Sequence, residues 1–308
     1  MKHYVNKKMI SFIIPCYRSL RTLPAVVEEL RTVMAAHGRD EYQVILVNDG
    51  SPDALWPLIK KLATADRRLI GLDLARNFGQ AKARLAALPY IKGDIAVYLD
   101  DDGQHPLDRV IELADKVEQG YDLVFAHFPH KRHHLLRRLA SAINRWLLEL
   151  SGAKQRGVYL SGFFAISRLA IDHLQDYRSP FPSFTSYIMQ CSDKVTNVVM
   201  PHRPRATGKS GYSFGKLFAQ WLTGVTNFSV IPLRVVSALG GLITTAGLIY
   251  TLVTALRKLL FGYAPLVAVM LILGGLILLA IGLLGEYIGR IYMTVSDMPN
   301  YVIRETTF

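Results

Sequence analysis

Ile95-Ala96-Val97-Tyr98-Leu99-Asp100-Asp101-Asp102-Gly103-Gln104-His105-Pro106 is a run of apolar β-formers that ends in three carboxylates and a glycine turn. The apolar half reads as a buried strand. The aspartates then fall at its carboxyl end, where open α/β sheets bind their ligands. Carboxylates clustered at such a rim repel one another and lose hydration unless a hard cation joins them, and Mg²⁺ that also holds substrate phosphates meets that demand. An acidic turn that merely caps a helix starting at Leu107 needs one aspartate rather than three. The metal reading is therefore favoured.

Strand and helix patterns alternate outward from this segment. Strands are expected at Ile10 to Ile14, Val44 to Val47, Leu69 to Leu74, Ile95 to Leu99 and Leu123 to Ala126, and helices near Leu23 to Met34, Leu55 to Ala63 and Gly79 to Leu88. Repeated βαβ units imply a mostly parallel, doubly wound sheet with right-handed crossovers.

Composition divides the 308 residues unevenly. No charged residue lies between Arg234 and Arg257, nor from Leu259 to Gly285; each stretch exceeds the roughly 20 apolar residues that span a bilayer. Two transmembrane helices joined by a short loop are expected. Of the net charge of +12, Arg257 and Lys258 carry two, leaving +10 elsewhere. An anionic membrane surface and a phosphorylated ligand account for that excess, and no nucleic-acid motif is visible. The basic start, residues 1–8, precedes an apolar run too short for a signal peptide. The amino-terminal domain and both termini are therefore expected on the cytoplasmic side. Cys16 and Cys191 are the only cysteines, which fits a reducing compartment. Leu135, Leu139, Ile143, Trp146 and Leu150 recur at helical spacing beside Arg137, Arg138 and Arg145, and a second such stripe runs from Phe214 to Phe228. Both suit amphipathic helices, the second at a membrane interface.

Four successive expected strand ends carry special residues: Pro15-Cys16-Tyr17; Asn48-Asp49-Gly50-Ser51-Pro52-Asp53; Arg76-Asn77-Phe78-Gly79-Gln80; and the Asp100 cluster. Taken in order, they resemble glycosyltransferase family 2. The closing segments His202-Arg203-Pro204-Arg205-Ala206-Thr207-Gly208-Lys209-Ser210-Gly211-Tyr212-Ser213, Asn227-Phe228-Ser229-Val230-Ile231-Pro232-Leu233-Arg234 and Gly285-Glu286-Tyr287-Ile288-Gly289-Arg290-Ile291-Tyr292 resemble its polyprenyl-phosphate glycosyltransferases. The resemblance implies a GT-A fold, a Rossmann-like, mostly parallel α/β domain, followed by an interfacial amphipathic helix and two transmembrane helices. The expected boundaries are 1–209 for the transferase domain, including an amphipathic helix at about 134–150, then 210–232, 233–287 for the membrane hairpin and 288–308 for a cytoplasmic tail.

The resemblance also implies inverting, metal-dependent transfer of one sugar from a nucleotide-sugar, with a UDP-sugar the expected donor, to polyprenyl (undecaprenyl) phosphate at a bacterial inner membrane. By position, Pro15, Tyr17, Asp49, Asn77, Gly79, Asp100 and Asp101 would bind the nucleotide-sugar. At the metal site, Asp102 would be the direct ligand of Mg²⁺ or Mn²⁺ and Asp100 would contact the ribose or metal-bound water. Gln104 would sit near the donor sugar and diphosphate, and Asp100, Asp102, Gln104 and Arg205 form the expected catalytic set. Arg203, Arg205, Lys209 and Ser210 would hold the lipid phosphate, since guanidinium forks match phosphate oxygens. Gly240, Gly241, Gly274 and Gly275 permit close helix contact and so a homo-oligomer.

Many family members carry an aspartate in a Gly-Asp-Phe-Arg motif, whereas this chain reads Ser161-Gly162-Phe163-Phe164-Ala165-Ile166-Ser167-Arg168. A phosphate monoester with a second pKa of about 6 is already largely a dianion at neutral pH. Such a nucleophile needs placement more than a base. Two other readings stand beside this one: a processive polysaccharide synthase, for which Ala142 replaces the glutamine of the Gln-x-x-Arg-Trp signature, and a catalytically silent nucleotide-binding membrane scaffold.

Overall fold

A computed structural model describes residues 8–129, 157–175, 189, 192–201, 240, 242, 245, 246, 249, 266–295 and 299–308. Two compact units divide the chain. One comprises Met1–Ser213 and Pro299–Phe308, the other Phe214–Met298.

In the first unit, among the described residues, eight strands form one sheet in the order β7-β5-β6-β4-β1-β2-β3-β8. They are β1 (Ile10–Cys16), β2 (Tyr42–Asn48), β3 (Leu69–Leu74), β4 (Ile95–Tyr98), β5 (Leu123–His127), β6 (Phe164–Ser167), β7 (Val195–Val199) and β8 (Ile303–Thr306). The block β4-β1-β2-β3 is parallel throughout, and β5 runs parallel to β7. β6 lies antiparallel between β4 and β5, and β8 antiparallel to β3. The expected mostly parallel sheet is present, extended by three strands, β6, β7 and β8, that sequence pattern did not mark.

Helices cover both faces, because strands buried on two sides need apolar partners on each. Phe12, Ile14, Val44, Leu46 and Val97 pack with α1 (Leu23–Ala36), α2 (Leu55–Ala65) and α4 (Val110–Glu118). Ile13, Ile45, Val47, Leu72 and Tyr98 pack with α3 (Gln80–Ala87) and α5 (Arg168–Gln175). Alternation along each strand assigns each side chain to one layer. The strand order reverses at β1, which has β2 on one side and β4 on the other. That is the switch point where doubly wound sheets open a crevice.

In the second unit, α6 (Leu266–Val295) is 30 residues long. Among the described residues no helix is long and apolar enough to cross a membrane. The first expected span lies almost wholly outside the described residues, as do several side chains of α6. The amphipathic stretches at 134–150 and 214–228, and Arg203, Arg205, Lys209 and Ser210, also lie outside them.

Candidate active site

The special residues converge on the carboxyl rim of β1, β2, β3 and β4. Asp49, one residue past β2, is 3% exposed, and its own N–H donates to the Cys16 carbonyl at 3.0 Å, which fixes it beside β1. Its Oδ1 accepts from the Phe78 N–H at 2.7 Å and its Oδ2 from the Gly79 N–H at 2.9 Å. Burial pushes this carboxyl above its ordinary range, and the two amides oppose that shift. Each carboxylate oxygen is thus engaged by one backbone amide of the loop after β3, which fixes the orientation of the Asp49 side chain.

Gly50 explains why the Asp49 turn and the Arg76-Asn77 loop can touch. Its φ is +59°, and a Cβ there would lie 2.3 Å from the Arg76 carbonyl carbon and 2.5 Å from the Asn77 nitrogen. Only glycine fits a left-handed position in direct backbone contact. Asn77 is exposed on this loop, and Gly79, with φ +89°, begins α3.

Across the switch point, the Tyr17 N–H donates to Asp101 Oδ2 at 3.0 Å, tying the loop after β1 to the loop after β4. Tyr17 is 41% exposed, whereas Pro15 is buried within β1. Burial raises the Asp101 carboxyl, with the Tyr17 amide among the groups opposing it.

Asp100 turns inward. Its Oδ1 accepts from Gln80 Nε2 and from Arg84 Nη2, the latter at 3.3 Å. Arg84 is 8% exposed, and the same Nη2 donates to the Gly162 carbonyl at 3.2 Å. Burial pushes the Arg84 guanidinium down, and Asp100 pulls it back up. The Asp100 N–H donates to His105 Nδ1 at 3.1 Å. In a neutral ring the proton then sits on Nε2, 3.6 Å from Asp100 Oδ2. Stacking on Phe163 at 4.7 Å holds the imidazole.

Asp102 is partly exposed at the turn, with Oδ1 accepting from the Gln104 N–H at 3.1 Å. Among the described residues no three His, Cys, Asp or Glu side chains gather to hold a metal. Mg²⁺ commonly takes one or two carboxylates and completes its shell with substrate phosphates and water. Asp102 fits that role. Asp100, by contrast, has Arg84 competing for Oδ1, so it suits an oriented outer acceptor better than a direct ligand. The residues therefore fit a cation that arrives with a diphosphate, not one held by protein alone.

The structure thus brings Pro15, Tyr17, Asp49, Asn77, Gly79, Asp100, Asp101, Asp102 and Gln104 to one sheet edge. Sequence reasoning missed Gln80, Arg84 and His105 as partners of Asp100. A signal existed: Gln80 and Arg84 stand four apart on α3 and share a face.

Comparison with known proteins agrees in coverage. Residues 11–173 match the glycosyl transferase family 2 domain, and residues 231–291 match the GtrB C-terminal hairpin. The undecaprenyl-phosphate 4-deoxy-4-formamido-L-arabinose transferase of Shewanella sediminis is 30% identical over 99% of this chain and 94% of its own length. That of Klebsiella pneumoniae is 30% identical over 99% and 95%. Among solved structures, glucosyl-3-phosphoglycerate synthase of Mycobacterium tuberculosis, crystallised with Mn²⁺, UDP-glucose and phosphoglyceric acid, has a TM-score of 0.53 at 18% identity, covering 72% of this chain and 79% of that one. At that identity the likeness shows the GT-A-like fold alone.

Proposed function

The chain belongs to glycosyl transferase family 2, and from that premise we propose that it moves a single sugar from a nucleoside-diphosphate donor onto polyprenyl phosphate at the cytoplasmic face of a bacterial inner membrane. The carrying observation is the rim itself: Asp101 ties the loop after β1 to the loop after β4, Asp49 ties the turn after β2 to the loop after β3, and Asp100 and Asp102 stand beside them. The relatives' activity, matched over nearly their whole length, supplies the acceptor class.

In this reading the nucleoside lies against Tyr17 and Asp49, whose carboxylate accepts from the base. Asp102 would hold Mg²⁺ or Mn²⁺, which when bound neutralises the diphosphate leaving group. Arg84 and Gln80 keep Asp100 turned to one side of that group, oriented toward ribose or metal-bound water. Gln104 reaches toward the donor sugar. Arg203, Arg205, Lys209 and Ser210 take the acceptor phosphate, whose charge state makes a protein base dispensable. Direct displacement by that phosphate inverts the anomeric centre.

Membrane attachment is supported by the undecaprenyl-phosphate acceptor named for the relatives. Helix α6 also leaves Met270, Ile277, Ile281, Ile288 and Ile291 exposed, an apolar surface suited to lipid.

The test is incubation of the purified chain with radiolabelled nucleotide-sugars and short polyprenyl phosphate, with and without chelator. A lipid-extractable single-sugar product that vanishes with chelator, and with Asp102→Asn, is expected. Polymer would indicate a processive synthase, and no turnover with any donor would indicate a silent scaffold.

A further inference from the structure

The C-terminal strand closes the β3 edge of the sheet through an irregular pairing. β8 pairs with β3 as Asp73↔Glu305 and Leu74↔Ile303, which leaves Arg304 as the extra residue of a β-bulge. Bulges re-aim side chains, and here the Arg304 guanidinium donates to the Ala75 carbonyl and lies 3.7 Å from Asp73 Oδ2. Asp73 is 4% exposed, and its Oδ1 accepts from Asn48 Nδ2 at 2.7 Å. Asn48 Oδ1 accepts in turn from the Ser51 N–H at 3.2 Å. Ser51 Oγ accepts from the N–H of Arg18 at 2.9 Å, and Arg18 has a left-handed backbone at φ +56°.

One line of polar contacts thus crosses the rim from β8 through β3 and β2 to the loop after β1. Asp49 follows Asn48 directly, and the loop that supplies its two amide donors follows Ala75 directly. A buried carboxylate such as Asp73 depends on its partners being in place. Removing the outermost cation would loosen Asp73 and Asn48, and with them the spacing between Asp49 and the Tyr17-Arg18 loop.

We propose that the strand Ile303–Thr306 is a working part of the donor-nucleotide site, with Arg304 a positioning residue that acts through Asp73, Asn48 and the Ala75 carbonyl. The proposal rests on the reading that a nucleotide lies across these strand ends. Neither matched family domain reaches residues 299–308. The alternative is that β8 only protects an edge strand. The other anchor of β8 separates the two: Glu305 meets Trp56 Nε1 at 2.8 Å and Lys60 Nζ at 2.6 Å, both on α2 and neither part of the polar line.

The experiment titrates UDP, GDP, CDP and dTDP, with Mn²⁺, into the detergent-solubilised full chain by calorimetry. The tightest of the four is then measured on Arg304→Ala, Arg304→Lys and Lys60→Ala, alongside thermal melts. Arg304→Ala should weaken nucleotide binding about tenfold, the scale of one charge-assisted contact. Turnover should show the same rise in donor KM with little change in kcat, and Arg304→Lys should recover part of the affinity. Lys60→Ala should stay within about twofold of the parent, because an exposed ion pair contributes little. If Arg304→Ala does not fold, Asp73→Asn serves the same comparison and should likewise weaken binding. Equal weakening by Lys60→Ala, or none by the Arg304 and Asp73 variants, overturns the proposal. Failure of the parent chain to bind any of the four would sink the donor-site reading itself, and this inference with it.

Discussion

Arg84 and Asp100 meet at 3.3 Å beneath the sheet rim, the guanidinium buried and the carboxylate open on one side. The arginine comes from the middle of α3 and the aspartate from the loop after β4, so the pair links a helix to the rim where the carboxylates collect. Its second contact, the Gly162 carbonyl, reaches the segment in which many family members carry an acid.

Replacing Arg84 by methionine keeps the volume and removes the charge. Asp100 then loses one of the two side chains that orient it, with Gln80 remaining, and the Gly162 carbonyl loses a donor. Breaking a fully buried pair costs about 3–5 kcal/mol; with Asp100 partly solvated, about 1–3 kcal/mol is expected here, with activity down about 10- to 100-fold. Urea melts and initial rates check both, and parent-like rates would remove Arg84 from the site.

Gly162→Asp tests whether the missing acid can be restored. A Cβ at this position lies 3.3 Å from Asp100 Oδ2 and 3.6 Å from Arg84 Nη2. A second carboxylate would crowd Asp100 and compete for its arginine, so activity should fall by about tenfold or more. A gain in transfer rate would instead indicate that this chain lacks a base it needs.

Gly50→Ala should be among the most damaging small substitutions. The left-handed backbone costs about 1–2 kcal/mol for any L-residue. The new methyl would also meet Arg76 backbone at 2.3 Å, which cannot swing aside as a side chain could. A total loss of about 3 kcal/mol or more is expected, with nucleotide affinity falling as the Phe78 and Gly79 amides shift from Asp49. Calorimetry and thermal melts report the two effects separately.

Asp66 offers a pH test far from the rim. Hydrogen bonds from Arg68 hold its carboxyl at about 2, against an ordinary value of 3.8, with Arg31 adding to the effect. A carboxyl depressed in the folded state adds stability above its unfolded pKa, and that contribution is lost as pH falls through the folded value. The Asp66→Asn chain should therefore be less stable than its parent by about 1–2 kcal/mol near neutral pH, after allowance for solvent screening. The gap should narrow between about pH 4 and pH 2. Chemical melts across that interval check it, and a gap independent of pH would exclude the charged pairing as its cause.

The parallel core was legible because its strands and helices are long enough to display their periods, as β1, β2 and α1 do. β7 and β8 are no shorter than β5 and β4, but β7 carries Thr196 and Asn197 and β8 carries Arg304 and Glu305 at their centres, so no apolar run marks either. Their extended form comes from neighbouring strands. Asp49, Asp100 and Asp102 were legible as strand-end acids, since polar residues that interrupt an apolar run mark a rim. Arg84 was not, because a lone arginine in an alanine-rich helix looks like a solvated face until packing buries it.

Sequence alone determined the alternation of strand and helix, the edge at which carboxylates collect, and the family, because hydrophobic period and strand-end chemistry are local properties of the chain. Only the tertiary structure decided which oxygen each carboxylate offers and to whom. Asp100 is claimed by Arg84, Asp101 by the Tyr17 amide and Asp73 by Asn48, with Arg304 nearby from the far end of the chain. Those choices belong to packing between distant segments, and hydrogen-bond direction has no counterpart in periodicity.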